Sequence, residues 1–296
     1  DMTPQVARIA ASRLGSQSRP LRLSYAGQVL RVKGTQLRPE RQFGQAGIEL
    51  IGSTSAAADA EVLVITAETL AELGVPGVSA DLALPTLVPA LFADMGISGA
   101  LADRLRAALD HKDSAQVSAL GGNAAGLLQS LIAAAGPAER AVAALSALVL
   151  PPAAAAERDR LAQVVELVRA DLPGLALTVD PVENRGFEYH TGISFTLFAR
   201  NIGAELGRGG RYLAGGTEPA TGATLFMDSV LEALPGPKRD KRLFVPHGTP
   251  RPWAQAFRVQ GWVTVAGLDA DADPVIEAKR QGCGHRLGPD GIVDVE

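Results

Sequence analysis

Two short stretches gather the groups most able to do chemistry. One reads Arg185-Gly186-Phe187-Glu188-Tyr189-His190-Thr191-Gly192, and the other Gly207-Arg208-Gly209-Gly210-Arg211-Tyr212. Together they bring a guanidinium, ring side chains and a glycine cluster onto one expected β-hairpin. Such a set can hold a small, charged, ring-bearing ligand. Arginine grips a carboxylate through paired charge-assisted hydrogen bonds, and glycines let backbone approach a ligand closely. Along a strand through residues 187–198, alternation places Glu188 and His190 on one face and Tyr189 on the other. A second set is Gln45 and Glu49, an even spacing that puts an amide and a carboxylate on one strand face. Polar groups on an inward face need partners, and a cationic amine would be one. Plainer roles compete for each residue. Arg185 can be a surface charge, His190 a satisfied core histidine, and Gln45 with Glu49 an outward polar face.

Other chemistries find no support. The glycine cluster lacks the Lys-Ser/Thr that ends a phosphate-binding P-loop. No Ser-His-Asp order, His-x-x-x-His pair or carboxylate cluster stands out, so neither covalent catalysis nor a metal site is expected, and no cofactor is called for. The single cysteine, Cys283, rules out an intrachain disulfide and a cysteine-based zinc site. Its setting, Gln281-Gly282-Cys283-Gly284-His285, reads as a turn between a helix and a strand. One cysteine with four histidines suits a reducing cytosol. Net charge is -4 and pI about 5.7. With no Lys/Arg block, a nucleic-acid partner is disfavoured, because phosphate contacts supply most of such affinity. There is no apolar run of ~18 residues and no visible signal peptide, so no membrane association is expected and the location reads as cytoplasmic.

The positioning elements follow from periodicity. Residues 2–14 read as a helix capped by Thr3, with Pro4 in its first turn. Residues 21–32 and 42–51 read as two antiparallel strands, with Gly34–Glu40 as the connecting loop. A long helix over 56–73 ends at Gly74. A short strand at 79–84 precedes helices over 87–95, 99–109, 123–135, 139–148 and 153–170. Strands return at 175–179, 187–198 and 205–207, and 222–234 mixes both signals. Lys238–Lys241 reads as a linker. Beyond it come strands at 242–245, 261–268 and 292–295 and helices over 252–259 and 273–281. The apolar share is 47% with mean hydropathy +0.12, enough for a sizeable core. Aromatic residues are 4%, so each one near a site carries weight.

These pieces resemble the class II histidyl-tRNA synthetase family, and within it the non-synthetase branch of ATP phosphoribosyltransferase regulatory subunits. Asp1 to Arg8 is similar to that branch's form of the synthetase segment Arg-Pro-Glu-Gly-Thr. Arg41 to Glu49 resembles the strand completing motif 2. Arg185 to Tyr189 resembles the histidine signature Arg-Gly-Leu-Asp-Tyr-Tyr, and Gly209 to Tyr212 the second histidine element. The resemblance spans residues 1 to about 235. It implies an α+β fold with a class II synthetase-like antiparallel sheet flanked by helices. Residues 1–237 would form that core with a helical insertion at about 98–172, and residues 238–296 a small C-terminal α/β unit. It also implies a histidine-binding set of Asp1, Thr3, Gln45, Glu49, Arg185, Tyr189, His190 and Tyr212. Glu49 and Asp1 would hold the ammonium, Arg185 the carboxylate, and Gln45 with the tyrosines the imidazole. His190 stands where synthetases carry a second tyrosine.

The departures fall on the nucleotide side. Motif 2 reads roughly Phe-Arg-x-Glu in synthetases but Leu30-Arg31-Val32-Lys33 here, so the glutamate is reversed to Lys33. Motif 3 ends near Gly-Leu-Glu-Arg, against Phe226-Met227-Asp228-Ser229, so Ser229 replaces an arginine clamp. Transfer chemistry at phosphates rests on such charge stabilisation. The resemblance therefore implies a noncatalytic regulatory subunit in histidine biosynthesis. It would activate a short-form ATP phosphoribosyltransferase catalytic subunit, help mediate feedback by histidine, and self-associate as a dimer or larger. The alternative is a histidyl-tRNA synthetase or related amino-acid-activating enzyme. Asp1 is not an initiator methionine, so a native segment is expected upstream.

Overall fold

The computed structural model describes residues 2–30, 32, 41–183, 189–236 and 241–295. The chain divides into two compact units, Asp1–Pro235 and Gly236–Glu296. The Gly34–Glu40 loop and most of the expected linker lie outside the described residues.

In the larger unit eight strands form one sheet. They are β1 (Leu21–Leu30), β2 (Gln42–Ile51), β3 (Ser79–Ala83), β4 (Gly136–Pro137), β5 (Ala176–Asp180), β6 (Ser194–Phe198), β7 (Gly207–Ala214) and β8 (Glu218–Phe226). Their order is β1-β2-β8-β7-β6-β3-β5-β4. Pairings are antiparallel except β3 with β5, so the expected antiparallel sheet is mixed. The parallel pair arises because a long helical excursion, not a hairpin, joins those strands. That excursion holds α3 (Leu87–Asp94), α4 (Gly99–Asp110), α5 (Ser114–Leu120), α6 (Ala125–Ala134), α7 (Ala138–Ser146) and α8 (Pro152–Asp171). Before it lie α1 (Thr3–Ser12) and α2 (Ala56–Glu72), and α9 (Met227–Ala233) ends the unit. The short α5 has little apolar periodicity. It is fixed by the Asp113 side chain, which accepts from the Gln116 amide at 2.9 Å.

The ends of α2 are set locally. The Ser55 hydroxyl accepts from the Ala57 amide at 3.1 Å, and Gly74 takes φ +90° just beyond the last turn. Its Val62, Leu63 and Leu70 join Leu50, Leu82, Leu197, Ala223 and Leu225 in the main core. Each fully buried aliphatic side chain contributes on the order of 1.5–3 kcal/mol. This apolar layer covers one face of the sheet. Helix α1 packs on the opposite face, through Ala7 and Ala10 against Ile51, Tyr212 and Ala220.

The smaller unit contains β9 (Arg242–Val245), α10 (Arg251–Val259), β10 (Val263–Ala266), α11 (Pro274–Arg280), β11 (His285–Gly288) and β12 (Gly291–Asp294). Strand order is β10-β9-β11-β12, parallel across the first three and antiparallel at the last. Strand β11 was not expected from the sequence, since His285-Arg286 interrupts its apolar pattern. Leu243, Val245 and Leu287 pack with Ala254 and Phe257 of α10. Phe244 packs with Ala278 of α11 and with Cys283. Cys283 lies in the turn between α11 and β11, and burial pushes its thiol pKa up.

Candidate functional site

Strand register builds the site on the α1 face of the sheet. Three rows cross β1, β2, β8 and β7. They read Leu21–Ile51–Ala220–Tyr212, Leu23–Glu49–Gly222–Gly210 and Tyr25–Gly47–Thr224–Arg208. Large polar side chains sit beside glycines, and the glycines are the reason they fit. A Cβ on Gly222 would collide with the Glu49 carboxylate, and one on Gly47 with the Tyr25 ring. At Gly210, φ is +150° and a Cβ would strike the His190 ring.

Glu49 is the centre. It is 2% exposed. The Tyr212 hydroxyl donates to its Oε2 at 2.8 Å, and Thr3 and Tyr25 also hydrogen-bond to it. Burial pushes its pKa up to about 7, although all three hydroxyls pull the other way. Among the described residues no basic side chain forms an ion pair with it. Tyr25 is pushed up to about 12 by burial and then by the Glu49 charge. Tyr212 is raised for the same two reasons. The Tyr25 hydroxyl lies 2.6 Å from Thr224 Oγ1 and 3.3 Å from Thr3 Oγ1. The Gln45 amide accepts from the Met2 amide and donates to Thr224 Oγ1, both at 3.1 Å. Both ends of that amide are therefore bonded within the protein.

Thr3, Glu49, Tyr189, His190, Arg208 and Tyr212 surround one cleft. The enclosed space is about 20 Å³, the size of one water site and too small for an amino acid as it stands. The loosest wall is Tyr189, 60% exposed, with its ring centroid 4.0 Å from His190 and 6.5 Å from Tyr212.

Of the expected set, Thr3, Glu49, Tyr189, His190 and Tyr212 meet at this cleft, with Gln45 beside it. Asp1, Arg185 and Lys33 lie outside the described residues. Several expectations need correction. Among the described residues β6 begins at Ser194, so Tyr189 and His190 precede the strand, and their rings pack on each other instead of facing apart. Gly207, Gly209 and Gly210 were expected to let backbone approach a ligand. They lie within β7, where Cβ atoms would meet β8 backbone, Phe195 and His190. Thr3 does not cap α1. Met2 occupies the N-cap, and Thr3 turns its hydroxyl to the cleft. Tyr25, Thr224 and Arg208 were missed. The chain has only three tyrosines, and all three line or support this cleft. That scarcity was the available signal.

At the nucleotide-side positions, Ser229 lies in the first turn of α9. Its neighbour Asp228 accepts from the Gly44 amide at 3.1 Å, which ties α9 to β2. Behind the cleft, Arg211 turns to the core face. It is 2.8 Å from Asp59 and donates to the Ser53 and Ser55 carbonyls. Arg160 reaches the same carboxylate at 2.9 Å. Among the described residues no cluster of metal-ligating side chains occurs, and no helix is long and apolar enough to cross a membrane.

Comparison with known proteins places this architecture. A family model described as Histidyl-tRNA synthetase matches residues 1–230. An ATP phosphoribosyltransferase regulatory subunit of Paramagnetospirillum magneticum is 83% identical over 296 residues, all of this chain and 78% of the relative. That of Rhodospirillum centenum is 58% identical over 297 aligned positions, all of this chain and 77% of the relative. A crystal structure described as an ATP phosphoribosyltransferase regulatory subunit/histidyl-tRNA synthetase from Bacillus halodurans aligns with TM-score 0.72 at 26% identity. It covers 95% of this chain and 76% of that one.

Proposed function

This chain belongs to the family of ATP phosphoribosyltransferase regulatory subunits, built on the histidyl-tRNA synthetase core, and from that premise we propose how its cleft is used. It is a regulatory subunit of ATP phosphoribosyltransferase in histidine biosynthesis. The phosphoribosyl transfer belongs to its catalytic partner. In our reading this chain activates that short-form catalytic subunit. Histidine bound at the Glu49 cleft shifts the complex toward its inhibited arrangement. The logic is linkage: a ligand that prefers one arrangement moves the equilibrium toward it.

The observation that carries the reading is Glu49, a carboxylate buried among hydroxyls with no ion-pair partner among the described residues. A buried acid in that state is stabilised by an incoming cation, and the ammonium of an amino acid is one. Arg185 is proposed to take the ligand carboxylate and Asp1 to assist at the ammonium. Tyr189, His190 and Tyr212 would then face the imidazole. Since the cleft is small, binding requires Tyr189 to swing outward.

The nucleotide side supports loss of adenylation. Ser229 cannot supply the cationic clamp, and Asp228 spends its carboxylate on the Gly44 amide. Lys33 carries the wrong charge for the adenosine contact. Self-association as a dimer or larger belongs to the same reading.

The test is a mixed assay with purified catalytic subunit. Addition of this chain should raise turnover, and histidine should lower it again. Equal activity without the chain refutes activation. Calorimetry should show histidine binding that is lost in Glu49→Gln. Histidine-dependent ATP–pyrophosphate exchange should be absent, and robust exchange would restore the synthetase alternative.

A further inference from the structure

The smaller unit has a crevice whose position follows from its topology. The chain crosses from β9 to β10 on one side, then from β10 back past β9 to β11. Right-handed crossovers that move in opposite directions put their helices on opposite faces of a sheet. The packing agrees: α10 covers Leu243 and Val245, and α11 covers Phe244. Between the two helices, outside the carboxyl ends of β9 and β11, lies a topological switch point. Ligands of open α/β sheets bind there. An open groove of about 600 Å³ occupies this place, lined in part by exposed side chains.

The lining is chemically specific. Trp253 from α10 is 54% exposed, an uncommon posture for an indole in a chain with two tryptophans. Arg286 from β11 is half-buried, and among the described residues it makes no hydrogen bond and no ion pair. Its charge acts on Asp273 without a direct hydrogen bond, while that carboxylate accepts from the Val275 and Ile276 amides at 2.7 and 3.1 Å, capping α11. His247 lies on the β9–α10 loop at the same mouth. Pro246, Pro250 and Pro289 hold the surrounding backbone in fixed φ, so the wall is preorganised. With Pro250 and Pro252 at its start, α10 offers few free amides, which leaves the charge recognition to Arg286.

The geometry points to a ligand site here for a small organic anion that carries a planar ring. The ring stacks on Trp253, and the anionic group, a phosphate or a carboxylate, pairs with the Arg286 fork. This site is independent of the Glu49 cleft.

The test is titration of the isotope-labelled 296-residue chain, followed by amide chemical shifts. The probes are adenosine 5′-monophosphate, 4-hydroxyphenylpyruvate, adenosine and inorganic phosphate. Ring-plus-anion probes should saturate, with shifts confined to residues 246–253 and 286–289. Adenosine and phosphate, each half of the ligand, should bind at least roughly tenfold more weakly. A preference for the monophosphate identifies the anion as phosphate, and the reverse as carboxylate. Arg286→Gln should weaken binding roughly tenfold to a hundredfold, and Trp253→Ala by about tenfold or more. If Arg286→Gln unfolds the unit, Arg286→Lys keeps the charge but loses the fork, and should show a partial loss. The proposal is overturned by absence of saturation with any probe at millimolar concentration, or by shifts located elsewhere. Binding unchanged by the Arg286 and Trp253 substitutions, or binding of single-stranded RNA with none of the small anions, would also overturn it.

Discussion

Arg211 and Tyr212 are neighbours on β7, yet they reach buried carboxylates on opposite faces of the sheet. Arg211 meets Asp59, which is 3% exposed and also paired with Arg160. Tyr212 meets Glu49, which is 2% exposed and, among the described residues, held by hydroxyls. On the core face the acid is neutralised within the protein. The result is a joint between β7, α2 and α8. On the α1 face no described residue supplies a cation, and burial raises the acid's pKa. Burial is equal on the two faces. What separates the two acids is whether a described residue supplies the counter-charge.

Substitutions can break or sharpen this contrast. Asp59→Ala should have the largest effect, because it leaves Arg211 buried without its carboxylate. A loss of roughly 3–5 kcal/mol is expected from urea unfolding. A loss below about 1 kcal/mol would mean the joint is dispensable and the contrast false.

Glu49→Gln should do the opposite. The folded-state pKa of about 7 lies above the ordinary value of 4.5, so the native state holds the proton more tightly than the unfolded chain. Stability therefore falls as pH rises from about 4.5 to about 7 and stays low above. The full span is roughly 3 kcal/mol. The amide removes that dependence, so the variant should match or exceed the parent at pH 8. Thermal melts across pH 4–8 check the slope. A variant markedly less stable at pH 8 would show that Glu49, too, is structural.

Gly222→Ala tests why the carboxylate fits. The added methyl displaces Glu49, at a cost of roughly 1–3 kcal/mol, with loss of any histidine heat in calorimetry. Retained histidine binding would move the site elsewhere.

Tyr212→Phe is the gentlest probe. It removes one hydroxyl that favours the ionised acid, so the Glu49 pKa should climb further. Stability above pH 7 should drop by about 1–2 kcal/mol. The carboxyl stretch in difference infrared spectra follows that titration, and an unmoved midpoint would discount the bond.

The fold was readable where periodicity was clean. β1, β2, α2 and the excursion's helices other than α5 fall where alternation and helical spacing put them, because each buries one face. It failed where long-range pairing decides. Residues 187–198 alternate like one strand, but among the described residues ladder pairing in β6 begins at Ser194. β11 carries His285 and Arg286, whose partners come from β9 and β12. At and beside the cleft, Gln45 and Glu49 were legible from their even spacing on one strand. Tyr25 and Thr224 were not, because they come from β1 and β8, and only register sets them beside Glu49.

Side-chain types and their periods along the chain are local properties. They were enough to place helices and strands along most of the chain and a strand face bearing Gln45 and Glu49. Tertiary structure alone could decide which buried acid receives an arginine and which is left to hydroxyls. That choice depends on strand register and on which helix covers which face, and neither is written in any one segment.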